Sequence, residues 1–138
     1  MSDAPIKSFF LSGNLNSIEH LSYQFASSET RNGLWQMCIK SVAFRSNEDL
    51  NNIVALSTNL VQDLRIQGYQ RETYYPVINT FLLKGKTNET KIVQFEKVWF
   101  QINYSNSNLK IFLTDVESNE KVSCQCNIYA TILLQQIK

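Results

Sequence analysis

The residues best equipped for chemistry in this chain of 138 residues are three cysteines, Cys38, Cys124 and Cys126, and one histidine, His20. Cys124-Gln125-Cys126 would suit a thiolate-loving metal, but a structural zinc takes about four ligands, commonly from C-x2–4-C spacing. Cys38 or His20 would have to join from elsewhere, and the thiols read instead as buried or half-buried side chains of the fold. A Cys–His nucleophilic pair needs an orienting group and an oxyanion hole, and no residue pattern marks either. His20 lies in an alternating segment and reads as a surface or turn residue. The acidic residues fall singly in loops, apart from Glu48-Asp49. No phosphate-cradling glycine loop or nucleophile-elbow pattern occurs. Asn88-Glu89-Thr90 and Asn103-Tyr104-Ser105 match the glycosylation acceptor pattern and are read as chance matches in an Asn-rich chain. The expectation is a non-enzymatic protein with no catalytic residue, no metal and no cofactor.

Recognition chemistry is better represented. Tyr69, Tyr74 and Tyr75 with Arg71 are residue types enriched at interface hot spots, so the segment 67–75 is either a partner surface or a crossing loop packed on a sheet. Lys and Arg total 13 against 12 acidic residues, for a formal net charge of +1. That balance lacks the clustered basic surface that a phosphate backbone requires, so no nucleic-acid partner is expected. The longest mostly apolar run, 128–134, is too short to span a bilayer. No leader-like apolar region occurs near the first residues, and an odd number of cysteines forms no disulfide framework. A soluble intracellular protein is expected.

The elements that would position these residues are strands. Hydrophobic residues make up 43% of the chain, enough for one packed domain over 1–138. Residues 6–11 form a short apolar segment, ended by a Ser12-Gly13-Asn14 turn. In 18–25, Leu21, Tyr23 and Phe25 share the phase expected to be buried. Asn32-Gly33 is the strongest turn signal. Segment 34–44 changes phase: Trp35, Met37 and Ile39 share one face, Val42 and Phe44 the other. A bulge near Lys40-Ser41 would reconcile the two sets. Residues 45–52 read as a polar loop with room for a helical turn, and 53–66 as a strand in preference to a helix. Two further strands, 77–83 and 91–95, flank a turn at 85–88.

Alternation is cleanest over 98–134. Val98, Phe100, Ile102 and Tyr104 share one face, and Leu109, Ile111 and Leu113 return after a polar turn. Pairing them as a hairpin sets Ile102 opposite Ile111 and Phe100 opposite Leu113. Truncating Phe100 would then cost roughly 3–5 kcal/mol. The same register brings Trp99 and Phe112 together on the second face, where a loop or another chain must cover them. After an acidic turn at 115–121, a last strand over 122–134 puts Ile128, Ala130, Ile132 and Leu134 on one face and Tyr129, Thr131 and Leu133 on the other. Trp99, Phe112 and Tyr129 join Tyr69, Arg71, Tyr74 and Tyr75 as candidate interface residues.

Short strands separated by polar turns predict an all-β antiparallel sandwich, jelly-roll-like, with about eight or nine strands. Three stretches carry a family likeness: LWQMCIKSVAF (34–44), YYPVINTFLLKG (74–85) and the whole of 98–134. Together they resemble the small jelly-roll-type structural proteins of large DNA viruses and of Maverick/Polinton elements. That resemblance implies a minor-capsid or penton-like subunit, working with copies of itself and other structural proteins. It would act in a virion or in the cytoplasm or nucleus of a host cell, and it carries over no functional residue. The alternative is a sandwich binding module, lectin-like or cytokine-like, that recognises a glycan or a protein.

Overall fold

A computed structural model of the chain describes residues 5–25, 35–60, 77–102 and 108–137. Among them are nine β-strands and no helix, so no helix is long and apolar enough to cross a membrane. The strands are β1 (Lys7–Asn14), β2 (Leu21–Gln24), β3 (Trp35–Ser46), β4 (Leu50–Thr58), β5 (Val77–Gly85), β6 (Thr90–Gln94), β7 (Phe100–Ile102), β8 (Asn108–Asp115) and β9 (Cys126–Gln136). One sheet runs β1-β9-β3-β6, with β7 also on β3; the other runs β2-β8-β4-β5. Every pairing is antiparallel. Neighbours in sequence cross between the sheets except at β4–β5 and β6–β7, and the first and last strands lie side by side. That order is the double Greek key of a jelly roll.

Period-two alternation explains why these segments become strands with one face in a shared core. In β9 it buries Ile128, Ala130, Ile132 and Leu134, as expected. The phase change in β3 is absorbed where the sequence places it. The β3–β9 register shifts between Ile39 and Ser41, leaving Lys40 as the extra, exposed residue. Trp35, Met37 and Ile39 before it and Val42 and Phe44 after it therefore all face inward. The same bulge marks a change of neighbour, because β7 pairs with residues 35–37 of β3 and β6 with residues 41–45. The Lys40 carbonyl accepts a hydrogen bond from the Phe95 N–H at 3.0 Å.

Aromatic trios close the two open sides of the sandwich. Phe9 stacks on Tyr23 at 4.3 Å between ring centroids, with Phe25 edge-on to both, joining β1 to the β2 side. Phe81 lies between Phe44 and Phe95, at 6.3 and 6.0 Å, on the β5–β6 side. Such pairs add about 0.5–1.5 kcal/mol each beyond their buried area.

Four expectations need correction. The 98–104 and 109–113 segments are not a hairpin. β7 pairs with β3, setting Ile102 opposite Trp35 and Phe100 opposite Met37, while β8 lies in the other sheet, with Ile111 opposite Leu21 and Leu113 opposite Leu56. Both segments do point Ile102, Ile111 and Leu113 into the core, but from opposite layers, and Phe100 is only half-buried. Ser12-Gly13-Asn14 is not a turn, since β1 runs through it and pairs Gly13 with Ile128. A Cβ at Gly13 would sit 2.6 Å from Ile18 Cδ1, the far end of a flexible side chain that would have to turn aside. No helical turn forms between β3 and β4; the Ser46 hydroxyl accepts from the Glu48 N–H in a tight polar turn. The last strand starts at Cys126; before it, Val122 is buried and its N–H bonds the Leu113 carbonyl, beside an isolated bridge between Lys121 and Thr114. The segment 53–66 resolves as strand as far as Thr58. Asn32-Gly33 and residues 61–76 lie outside the described residues.

Candidate functional site

No three His, Cys, Asp or Glu side chains cluster as a metal-binding set among the described residues. The chemistry available lies in the faces and in one end of the sandwich. Trp99 is half-buried in the stretch leading into β7, with Lys97 Nζ 5.6 Å from its ring centroid. Phe112 sits in β8 across from Ser57, on the outer side of the four-stranded sheet, its ring 5.3 Å from that of His20. The two rings expected to meet thus belong to different sheets. Tyr129 is exposed on the outer face of the five-stranded sheet. Tyr69, Arg71, Tyr74 and Tyr75 lie outside the described residues.

Around Tyr129 the register lays out an uncharged surface. Ser12, Tyr129, Ala43 and Ile92 form one row across four strands, and Phe10, Thr131, Ser41 and Gln94 form the next. Phe10 is 69% exposed and Ile92 64%. Sequence reasoning passed over both, although Phe9-Phe10 carried the signal: adjacent aromatics in a strand point to opposite faces.

The other sheet has its own exposed apolar group at one end. Ile53 pairs with Leu82 across β4 and β5, and the Val116 N–H bonds the Ile53 carbonyl at 2.9 Å. These three side chains are 44%, 47% and 48% exposed. Beside Leu82 an open cleft of about 540 Å³ has Phe44, Leu50, Ile92 and Val93 in its walls and Lys84, Lys86 and Lys91 at its rim.

This end is knitted together by hydrogen bonds between loops. The Asn47 N–H bonds the Gln125 carbonyl, the Asn88 N–H the Ser46 carbonyl, and the Leu15 N–H the Cys126 carbonyl. Asn88, at φ 62°, lies in the left-handed region that asparagine tolerates. The Asp49 carboxylate accepts from the Thr87 N–H and hydroxyl, which hold its pKa below the usual carboxylate value. Asp115 is lowered likewise, first by the Asn52 amide at 2.8 Å and then by the Ser118 and Glu117 N–H groups. Both carboxylates are structural ties within the loops.

Cys124 and Cys126 meet at this end, joined by a 2.8 Å bond from the Cys126 N–H to the Cys124 carbonyl. A hydrogen bond from the Cys126 thiol lowers the Cys124 pKa, while the same contact and burial push Cys126 up. Burial also raises Cys38. The half-buried Cys124 should therefore be alkylated first by iodoacetamide under native conditions, as read by peptide mass spectrometry. Faster labelling of Cys38 would contradict this packing.

Comparison of the chain with protein-family models, with curated proteins and with solved structures returns no match at any of the three levels.

Proposed function

We propose that this chain is a non-enzymatic structural subunit that assembles with copies of itself, of the viral or transposon capsid type. The observation that carries the reading is that both outer faces of the sandwich hold exposed apolar side chains. Phe10, Tyr129 and Ile92 lie on one layer and Ile53, Leu82 and Val116 on the other. A two-layer fold buries its inner faces against itself, so apolar groups on both outer faces suit a body with neighbours on either side. The jelly-roll strand order is compatible with that role, though the same fold hosts lectins and other functions. The cleft beside Leu82 favours the second reading, a binding module for a protein or glycan.

Sedimentation velocity on the purified chain separates the two. A discrete oligomer that persists on dilution is the expected result. A monomer at the highest soluble concentration would overturn the assembly reading, and a monomer that retains a glycan on an array would establish the second.

A further inference from the structure

The end of the four-stranded sheet that carries Ile53, Leu82 and Val116 has acidic groups on one side and lysines on the other. On one side stands the turn after β8. Its Asp115 is committed to Asn52 and to the turn's own N–H groups. Glu117 and Glu120 are exposed, make no ion pair among the described residues, and have Lys121 as their neighbour in sequence. On the other side is the cleft, with three lysines at its rim against two carboxylates, Asp49 and Glu89. Both carboxylates are committed, Asp49 to Thr87 and Glu89 to Lys91 at 2.9 Å. Lys84 and Lys86 make no close ion pair among the described residues, although Lys86 lies near enough to Asp49 to help lower its pKa. Between the two sides lie Ile53 and Leu82, paired in register, with Asn51 paired to Lys84 beside them.

The acidic side cannot fill its own molecule's cleft, because the bond from Val116 to Ile53 ties the turn to β4, with β5 between it and the cleft beyond. A second copy rotated by a two-fold axis near Ile53 and Leu82 brings acid to base twice. We propose that this face is the self-complementary interface of a two-fold pair of this chain. Glu117 and Glu120 of each copy face Lys84 and Lys86 of the other, Ile53 and Leu82 pack at the axis, and Val116 enters the opposing cleft. An apolar centre with a polar, charged rim is the usual anatomy of such a contact, and an isologous patch must carry both partners of every pair. The inference rests on the assembly reading and names the surface it uses.

Charge reversal tests it. K84E/K86E places acid on both sides of the face, and E117K/E120K places base on both. Each variant alone should associate at least about tenfold more weakly than the native chain, because like charges then oppose one another. An equimolar mixture of the two should recover the native mass in sedimentation velocity, since one copy then offers only acid and the other only base. The fourfold variant should recover it as well, which excludes misfolding as the cause of the loss. If the native chain is oligomeric and both double variants stay equally associated, this interface is wrong while the assembly reading stands. A monomeric native chain overturns both.

Discussion

Replacing Phe44 by alanine should destabilise the fold by about 3–5 kcal/mol, the cost of removing a fully buried aromatic ring and leaving its cavity. Phe44 is 1% exposed in β3, a central strand of its sheet, and its ring reaches across to Phe81 in the opposite layer. It also lies beneath Gly85, where an added Cβ would be 3.7 Å from the ring, and in the wall of the cleft. Its loss would loosen both the core and the side of the sandwich where β5 and β6 meet. Chemical denaturation of F44A measures the effect, and a change below about 1 kcal/mol would contradict the packing of the two sheets. Phe100→Ala should cost less than Phe44→Ala, because Phe100 is half-buried beside Met37 and does not reach the centre of the core.

Deleting Lys40 should leave the protein folded, at a cost of about 0.5–1.5 kcal/mol for the hydrogen bond its carbonyl accepts from the Phe95 N–H, whereas Lys40→Ala should shift stability by no more than about 0.5 kcal/mol. Lys40 is the residue that separates the two phases of β3. Without it, Val42 and Phe44 move onto the phase of Trp35, Met37 and Ile39, and Ile39–Ile132 and Ser41–Thr131 become successive pairs of a regular ladder. All of these apolar side chains then still face the core. Circular dichroism and amide dispersion in NMR would read the outcome. An unfolded deletion variant would show that the bulge is required for the change of neighbour from β7 to β6.

The bulge was legible because it leaves a mark in one dimension: an inward phase that changes from odd to even positions within a single apolar run. The faces of β2, β8 and β9 were legible for the same reason. Pairing was not. Alternation says that Ile102 and Ile111 both face a core, but the two layers of a sandwich look into the same core from opposite sides. A hairpin and a crossing between sheets therefore give the same pattern. Trp99 and Phe112 were assigned to a common face on that ambiguity, and the sheets separate them. Of the candidate interface residues, Tyr129 lies on an exposed outer face, while the tyrosine-rich segment with Arg71 falls outside the described residues. Ile53 and Leu82 escaped notice because each lies in an unbroken apolar run, 53–56 and 81–83, where alternation does not mark the outward residue, and Val116 because it is a single apolar residue in a polar turn. Only the pairing of β4 with β5 and the bond from the turn after β8 bring them side by side.

The pairing of β1 with β9 has a further consequence, for how the chain reaches this structure. Eight ladder positions join Lys7–Asn14 to a strand more than a hundred residues later, and β1 has no other partner in its sheet among the described residues. β9 in turn supplies the ladder between β1 and β3. Until β9 is available, β1 is an unpaired strand carrying Phe9 and Phe10, and the five-stranded sheet lacks the member that joins its two parts. Contacts this distant in sequence require a large loop to close before they gain any energy, which makes folding slow and late-committing. A nascent chain would hold its first strand idle until its last strand emerged, so the period of greatest exposure to aggregation ends with β9.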